Sequence, residues 1–285
     1  MTYLRFTPAS PLNTYINGIY YRDQPMPYPR EKILAMPWLN LMINLGGALS
    51  AYEVNHTEPF ITCTDSWWVG LRTTCHVIDW SPDMQLFVID FKPGGAYPFL
   101  RFPLSELHNQ VVSLDLLWGN FATEFRERLY AAPTVEARFA LLECLLLERL
   151  TLVQHRPIPS GLAAVQYAIE RIASEQGALS IRALSDQIGI SQKHLIALFK
   201  QLVGGTPKEL ARMFRFHQVI QSLDPTQPID WTRIAHQALY YDQSHFNKDF
   251  ESFTGHSPSE YLCLRRQIYA ENPHHAPYFR QLITG

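Results

Sequence analysis

Hydrophobic and polar positions follow two different periods along this chain. In the first hundred residues the apolar positions form short runs, rich in β-branched and aromatic side chains and bounded by Gly, Pro, Asp and Ser. Runs of that length and composition predict β-strands. The front of the chain is therefore predicted to be a compact, mostly β unit. Its candidate strands are LNLMINL (39–45), ITCTDSWWVG (61–70), CHVIDW (75–80) and QLFVIDF (85–91).

From Ser105 onward the apolar positions recur every three or four residues, which is the period of an α-helix. Residues 105–132 and 134–153 both show this period. The segment Ala140–Leu150 has a wide apolar stripe, so we expect it to form a dimer contact or to bridge two domains. Packing on its own β unit is the alternative. The leucines of this stripe are Leu141, Leu142, Leu145 and Leu146.

The segment QHRPIPS (154–160) separates these helices from a further helical region. Its two prolines stop a helix and its polar residues have little to bury, so it is predicted to be a linker. The sequence thus predicts an α+β protein with two domains and a tail. These are a β-rich, barrel-like domain with trailing helices (1–155), an all-α domain (160–266) and a C-terminal tail (267–285).

The all-α region contains an internal repeat with an offset of 51 residues. The segments ISQKHLIALFKQLVGGTPKELA (190–211) and YYDQSHFNKDFESFTGHSPSEYL (240–262) share apolar spacing, a glycine and a Ser/Thr-Pro pair. The apolar positions bury one helix face, the glycine permits a left-handed cap, and Ser or Thr before Pro begins the next helix. Matched pairs are Phe199 with Phe250, Gly204 with Gly255, and Pro207 with Pro258.

Each copy follows a shorter predicted helix, so each forms a helix-turn-helix. In the first, Ser180 caps IRALSDQI, Gly189 makes the turn and Ser191 caps QKHLIALFKQL. In the second, Asp230 caps WTRIAHQA and Asp242 caps QSHFNKDFESF. A purely structural bundle would explain one such unit. Two copies with polar second helices favour a reader of nucleic acid.

Residues 180–266 resemble the tandem helix-turn-helix domain of the AraC/XylS family of transcription regulators, and 240–262 is similar to the signature of that family throughout. The upstream segment FKPGGAYPFLRFPLSELHNQVVSLDLLWG (91–119) resembles a poorly characterised N-terminal domain that is joined to such modules. The resemblance implies a DNA-binding regulator whose two recognition helices enter successive major grooves. A joining helix, Pro207–Leu223, would span about 25 Å at 1.5 Å per residue, compared with about 34 Å between grooves.

The resemblance places base contacts on both second helices. The first recognition helix offers little hydrogen-bonding capacity because two of its outward positions are apolar, so the second is expected to carry more of the specificity. In the second unit, Leu239 occupies the turn position where the family usually has Gly, which predicts a differently shaped turn. The expected base contacts are Gln192, Lys193, Ile196 and Ala197 in the first unit and Gln243, Ser244, Asn247 and Lys248 in the second.

Phosphate contacts are expected from basic residues near these helices, because backbone contacts position a protein on DNA without reading sequence. Residues 180–266 contain 10 Lys and Arg against 8 Asp and Glu, a balance of +2, which is compatible with DNA binding. A solvated charged face is the alternative. The expected phosphate contacts are Lys200, Lys208, Arg212, Arg215 and Arg233.

The β-rich front is expected to act as a sensor or dimerisation domain, again by resemblance. Its aromatic residues would line a pocket for a small effector or, as the favoured alternative, form the core. These residues are Trp67, Trp68, Trp80, Tyr97 and Phe99. The histidines His56, His76 and His108 lack metal-ligand spacing, and FKPGGA lacks the pattern of a phosphate loop.

Composition narrows the remaining classes. The N-terminal segment lacks a signal-peptide pattern and no run of about 18 apolar residues occurs, so we expect a cytoplasmic protein without a membrane partner. The four cysteines have no zinc spacing and are expected to be free, mostly buried thiols. We expect no catalysis and no cofactor. The expected partners are double-stranded DNA, RNA polymerase, a small-molecule effector and a second copy of the chain. The alternatives are a metal-dependent β-barrel enzyme fused to a DNA reader and a helical interaction module that binds no DNA.

Overall fold

The computed structural model describes residues 3–23, 30–153, 159–271 and 282–283. Within those residues the chain folds into a β-rich N-terminal domain followed by a helical C-terminal domain. This is the two-domain α+β fold that the change of hydrophobic period predicts. None of the described helices is both long enough and apolar enough to cross a membrane.

The described strands form two antiparallel sheets rather than one closed barrel. The strands are β1 (Tyr3–Phe6), β2 (Ile16–Arg22), β3 (Arg30–Ile33), β4 (Asn40–Asn44), β5 (Leu49–Glu53), β6 (Ile61–Cys63), β7 (Ser66–Val69), β8 (His76–Asp79), β9 (Leu86–Phe91), β10 (Val111–Ser113) and β11 (Leu282–Ile283). One sheet has the order β1-β2-β9-β4-β7-β10 and the other β11-β3-β8-β5-β6. All four sequence runs that predict strands contain them.

Residues 105–132 depart from the helical prediction at their start. Val111–Ser113 forms the edge strand β10, which pairs with β7. Two adjacent β-branched residues suit this edge position better than a helix. The α-helices of this segment begin only at Leu114, after the Ser113 side chain caps the first turn. The α-helices of this domain are α1 (Tyr97–Leu100), α2 (Leu114–Trp118), α3 (Asn120–Ala131) and α4 (Val135–Leu152).

Helix α4 packs on its own domain. Leu142, Leu145, Leu146 and Leu150 are buried in the main core, and its Phe139 ring lies 5.2 Å from the Phe87 ring on β9. These contacts favour the alternative that the helix packs on its own β unit. Leu150 also lines a cavity between the two domains, so the dimer contact or domain bridge stays a prediction. The exposed positions of the helix include Ala140, Cys144 and Glu148, and Leu152 at its C-terminal end is 49% exposed.

The C-terminal domain consists of helices whose caps follow the sequence prediction closely. Ser180, Ser191, Asp230 and Asp242 each accept a hydrogen bond from the main chain three residues later, and Thr206 forms a capping box with Glu209. The helices are α5 (Leu162–Ser174), α6 (Ile181–Ile188), α7 (Gln192–Leu202), α8 (Pro207–Ser222), α9 (Trp231–Gln237), α10 (Gln243–Thr254) and α11 (Pro258–Glu271).

Helix α8 joins the two helix-turn-helix units, α6–α7 and α9–α10. Its 16 residues span about 24 Å. Phe216 on α8 packs against Phe250 and Phe253 of α10, with ring centroids 5.7 and 4.8 Å apart. The second unit is therefore fixed to the joining helix by an aromatic core.

The domain boundaries remain predictions. Most of the predicted linker, residues 154–158, lies outside the described residues, as do residues 272–281 of the predicted tail. Helix α11 continues to Glu271, past the predicted boundary at 266. One continuous apolar cluster runs from Leu12 in the first domain to Ile268 in α11, so the two domains share a core.

Candidate nucleic-acid interface

The first recognition helix, α7, presents its predicted base contacts on the surface. Gln192, Lys193 and Ala197 are exposed and Ile196 is half-buried. Leu195 and Phe199 face inward and are fully buried. The structure therefore brings these four positions to one accessible face, where lysine and glutamine supply the hydrogen-bonding groups.

The second recognition helix, α10, presents a more polar face. Gln243, Ser244 and Lys248 are exposed and Asn247 is half-buried, while Phe246 is buried behind them. Positions 243 and 247, and likewise 244 and 248, lie one helical turn apart on the same side. An amide, a hydroxyl and an ammonium group can all bond to base edges.

The turns of the two units differ by one residue. In the first, Gly189 takes the left-handed conformation (φ 79°) two residues before the cap Ser191. In the second, Leu239 takes it (φ 59°) three residues before the cap Asp242. The turn of the second unit is thus longer, as the leucine at this position predicts, and it includes the side chain of Tyr241.

Tyr241 is a candidate that sequence reasoning missed. It precedes the cap of α10 and is 94% exposed, whereas its neighbour Tyr240 is buried. The tandem YY at 240–241 contains no signal that distinguishes the two residues; only the one-residue extension of the turn directs Tyr241 outward. Its position is beside the helix N-terminus that is expected to face DNA.

The guanidinium group of Arg212 is engaged inside the protein. Its Nη2 and Nε atoms donate to Asp249 Oδ1 at 2.7 and 3.1 Å, and Asp249 is buried. The same group lies over the Phe253 ring, 5.2 Å from its centroid. Hydrogen bonding to Asp249 raises the pKa of Arg212 above its ordinary value. This pair connects α8 to α10, so Arg212 is a structural residue that sequence reasoning treated as a phosphate contact.

Arg215 is held in the same way. Its Nη1 donates to the main-chain oxygen of Gly177 at 2.6 Å, and its guanidinium lies 5.3 Å from the Tyr240 ring centroid. These contacts give Arg215 a structural role, and its phosphate contact stays a prediction. Lys200, Lys208 and Arg233 are the members of the predicted phosphate set that are exposed.

The N-terminal domain contacts the first recognition helix at its C-terminal end. His108 Nδ1 lies 2.8 Å from the main-chain oxygen of Gly204, and because that oxygen only accepts, the ring nitrogen must donate. His108 Nε2 is 3.9 Å from Glu209 of the capping box. A Cβ on Gly205 would lie 2.6 Å from the Leu71 side chain. The backbone therefore approaches the domain more closely than a larger residue would allow.

The N-terminal domain contacts the second recognition helix at the equivalent point. His256 Nε2 lies 2.7 Å from Lys32 Nζ on β3, and a Cβ on Gly255 would lie 3.5 Å from Cys75 Sγ. Burial lowers the pKa of Lys32, and burial together with the Lys32 charge lowers the pKa of His256. The pair favours a single positive charge, because two cations at this distance would repel each other.

We name these two contacts the paired docking contacts: His108 with Gly204–Gly205, and Lys32 with Gly255–His256. They fall at the same place in the repeat, since Gly204 and Gly255 are 51 residues apart. Both are at helix C-termini, about 16 Å from the N-terminal ends that carry Gln192 and Gln243. The N-terminal domain thus touches both units while their predicted reading ends remain exposed.

The five aromatic residues considered for an effector pocket do not meet in one cavity, which favours the alternative that they form the core. Trp67 and Trp68 are neighbours on β7 and therefore point to opposite faces of the sheet. Trp67 and Trp80 lie in a small core cluster, whereas Trp68, Tyr97 and Phe99 lie in the main core. These five side chains are buried core residues, and Tyr97 alone of them lines the large cavity described below.

The histidines and cysteines of the described residues do not form a metal site; no group of three or more His, Cys, Asp and Glu side chains there is placed to hold one. His76 is buried, and burial together with the nearby Arg72 charge lowers its pKa to about 3. It is therefore neutral at physiological pH. Cys63, Cys75, Cys144 and Cys263 are free thiols. The expectation that they are mostly buried is wrong, since of these four Cys75 is buried, Cys63 is half-buried, and Cys144 and Cys263 are exposed.

Comparison with protein families identifies two domains. Residues 184–263 match a helix-turn-helix domain family of the AraC type. Residues 4–113 match a domain of unknown function, DUF6597. Both resemblances stated from the sequence are confirmed. No curated protein matches the chain.

Comparison with solved structures finds similar two-domain proteins at low identity. A 1.65 Å structure of ToxT from Vibrio cholerae is 14% identical, with a TM-score of 0.43, over 86% of this chain and 96% of that one. ToxT bound to (E)-4-(8-methylnaphthalen-1-yl)but-3-enoic acid is 13% identical, with a TM-score of 0.44, over 86% and 97%. The AraC-like transcriptional activator CuxR is 18% identical, with a TM-score of 0.26, over 72% and 73%.

Proposed function

We propose that this chain, a DNA-binding transcription regulator with a C-terminal AraC-type helix-turn-helix domain, inserts α7 and α10 into successive major grooves on one face of DNA. The observation that carries the proposal is the repeated unit itself. Two recognition helices, each with its polar N-terminal face exposed, are fixed to one joining helix about 24 Å long. That length and the width of the units suit grooves about 34 Å apart.

Base reading is assigned to the exposed faces of the two helices. Gln and Asn pair with adenine, Lys donates to guanine, and Ile or Ala contacts a thymine methyl group. Lys200, Lys208 and Arg233 are assigned to phosphate together with Tyr241, and Arg212 and Arg215 are assigned to the protein interior. The base-reading residues are Gln192, Lys193, Ile196 and Ala197 on α7 and Gln243, Ser244, Asn247 and Lys248 on α10.

We also propose that the N-terminal domain controls DNA binding by the two helix-turn-helix units. Its paired docking contacts reach both helix-turn-helix units, which supports a route by which a small effector or a second copy of the chain alters DNA binding. Regulation of this kind acts in the cytoplasm on RNA polymerase, without catalysis by the chain. Neither RNA polymerase nor a second copy has an assigned surface on the described residues.

Fluorescence anisotropy with fragments from a randomised-site selection tests the assignment. The protein should enrich one motif, and the logarithm of its affinity should fall linearly with the logarithm of salt concentration. A helical interaction module without DNA binding would enrich no motif. Binding that does not weaken as salt rises would contradict the phosphate assignment.

A further inference from the structure

A large cavity lies between the two domains. It has a volume of about 800 Å³, within the range of about 300–1,000 Å³ typical of small-molecule sites. One wall is the segment 92–101 of the N-terminal domain, which includes most of the FKPGGA motif that has no phosphate-loop pattern. The opposite wall is formed by α5 and α8 of the helical domain.

The two walls approach each other closely enough to define a site. A Cβ on Gly94, which has a φ of 77°, would lie 3.3 Å from Ile169 Cδ1 on α5. At another edge the Trp38 ring meets the His217 ring of α8 edge-on, with centroids 5.0 Å apart. Each wall comes from a different domain, so an occupant would contact both.

The side chains that line the two walls indicate which class of molecule the cavity would bind. The helical wall is largely apolar and includes Leu162, Val165 and Phe214. The N-terminal wall carries two cationic residues, Lys92 and Arg101, against the single carboxylate of Glu170 across the cavity. An apolar wall facing a cationic one suits a molecule that has one apolar part and one acidic group.

The two cations are held in place by their own segment. Lys92 Nζ donates to the main-chain oxygen of Asn13 at 2.6 Å, and because an ammonium group has three donors, two remain for other acceptors. Arg101 holds a left-handed backbone (φ 59°) at the end of α1, a conformation that costs a non-glycine residue free energy and fixes the start of its side chain. The ammonium group of Lys92 is therefore held at this wall before any ligand arrives.

The interior of the N-terminal domain does not offer comparable space. The cavity between Leu49, Trp67 and Ile78 has a volume of about 20 Å³, which is close to the room needed by one water molecule. Core side chains already fill this part of the domain. A second cavity of this domain, lined by Asn44, Thr64 and Arg126, has a volume of about 380 Å³, which is less than half that of the interdomain cavity.

We propose that the interdomain cavity binds a small monoanion with an apolar body, whose acidic group lies toward Lys92 and Arg101 and whose apolar part lies against α5 and α8. The ligand would connect the N-terminal domain to the helices that position the first reader. This regulatory consequence rests on the proposed function; the binding itself does not.

The test uses the full chain and two probes that share an aromatic body. One is 1-anilinonaphthalene-8-sulfonate, a monoanion, and the other is N-phenyl-1-naphthylamine, which lacks the sulfonate. Ala173→Trp places a bulky side chain in the cavity, and Ala163→Trp is the matched control because it is exposed on the same helix but does not line the cavity. Both positions are on the surface, so folding should be preserved and is checked by circular dichroism.

Fluorescence titration should show one anionic probe bound per chain. Ala173→Trp should weaken that binding at least about tenfold and Ala163→Trp should leave it unchanged, since only the first removes contact volume. Lys92→Gln combined with Arg101→Gln should weaken the anionic probe about tenfold and leave the neutral probe unaffected. Equal binding of the anion to Ala173→Trp and to the wild type would overturn the site, and equal loss of both probes in the charge variant would overturn the ligand class.

The regulatory consequence is measured separately on selected DNA. A saturating anionic probe should change the affinity of the wild type for DNA and leave that of Ala173→Trp unchanged. Probe binding by a protein that enriches no DNA motif would refute the proposed function and leave the cavity assignment standing. DNA binding by a protein that takes up neither probe would refute the cavity assignment alone.

Discussion

Leu239 shows how one residue can carry a local cost at a predicted DNA-facing turn. Its backbone is left-handed (φ 59°) and its side chain is 55% exposed. A Cβ in this conformation costs about 1–2 kcal/mol, and the exposed side chain recovers little through burial. The turn therefore keeps a strained residue beside Tyr241 and the cap of α10.

Replacing Leu239 with glycine should stabilise the protein. The expected gain in unfolding free energy is about 0.5–1 kcal/mol, because glycine relieves the strain but adds entropy to the unfolded chain. Leu239→Ala is the matched control, since it removes most of the same side chain and keeps the Cβ. Urea unfolding monitored by circular dichroism measures both. A glycine variant no more stable than the alanine variant would show that the turn is unstrained.

Asp90 on β9 makes the folded state sensitive to pH. Burial raises its pKa to about 7, against the opposing effects of its hydrogen bond from Asn40 and of the Arg5 charge. An unfolded aspartate has a pKa of about 3.9. Between about pH 4 and 7 the folded state therefore holds a proton that the unfolded state has released, and the free energy of unfolding contributed by this group falls as pH rises.

The Asp90→Asn variant should lose this dependence. Its amide stays neutral, so between about pH 4 and 7 its free energy of unfolding should fall less steeply with pH than that of the wild type, and at about pH 8 the variant should be the more stable protein. Denaturant titrations at several pH values give the slopes. Asp83→Asn, at an exposed turn position, serves as the control and should keep the slope of the wild type. Equal slopes for wild type and Asp90→Asn would contradict the assignment.

At the scale of elements, we expect the two recognition helices to contribute unequally to base reading. One turn after its first residues, α10 presents an amide and an ammonium group through Asn247 and Lys248, whereas the corresponding part of α7 presents Ile196 and Ala197. A good bidentate pair discriminates between bases by about 1–3 kcal/mol, which an apolar contact does not match.

The combined Asn247→Ala and Lys248→Ala variant should therefore lose most of the preferred motif in a randomised-site selection. Lys193→Ala should leave that motif largely intact. The comparison is made at one salt concentration because phosphate binding changes with salt. If Lys193→Ala scrambles the motif and the double variant preserves it, then α7 is the main reader.

Two of the cations on helix α8, Lys208 and Arg212, are expected to have different roles. Arg212→Met should cost about 2–3 kcal/mol of stability, because it leaves the buried Asp249 carboxylate without its partner. Lys208→Met, at an exposed position on the same helix, should cost little stability and should reduce the salt slope of DNA binding by about one unit. Thermal unfolding and salt titrations of both variants check the contrast. A reduced salt slope in a fully stable Arg212→Met protein would restore Arg212 as a phosphate contact.

The elements themselves were largely predictable from the sequence. Helices α6 and α7 match the predicted segments residue for residue, since Ser180, Gly189 and Ser191 provide local start and stop signals. The sequence predicted a differently shaped second turn from Leu239, but not its extra residue, although the first caps of the two units are 50 residues apart and the second caps are 51 apart. Local sequence signals predict helix boundaries well where capping residues satisfy the main-chain hydrogen bonds at the helix ends.

Contacts between distant elements could not be predicted in this way. Asp249 looks like another polar residue of a recognition helix until the fold brings it to Arg212, 37 residues away along the chain. Trp67 and Trp68 look like one aromatic cluster until β7 separates them onto two faces. Spacing along the sequence does not show which element will cover a side chain. The internal hydrogen bonds of Arg212 and Arg215, and the separation of Trp67 from Trp68, are therefore visible only in the tertiary structure.

At the scale of the whole molecule, the two domains share one apolar core and the N-terminal domain holds both readers at equivalent points. The paired docking contacts add to the connection through α8, where Phe216 packs on α10. Two independent connections restrict the second unit relative to the first more than a single helix would. The distance between the two base-reading surfaces should therefore depend on the N-terminal domain.

Loosening the paired docking contacts should relax the half-site spacing that the protein accepts. His108→Ala combined with His256→Ala removes the hydrogen bonds at both points, and His56→Ala, at an exposed position of the N-terminal domain, is the control. DNA fragments with one base pair added or removed between the half-sites should lose at least about tenfold in affinity for the wild type and for the control, since a misplaced half-site forfeits its base contacts. The double variant should lose much less on the altered spacings while binding the optimal spacing more weakly, because its units must now be ordered on DNA. Anisotropy titrations over the spacing series measure this, and a double variant with the same spacing preference as the wild type would show that α8 alone sets the distance between the readers.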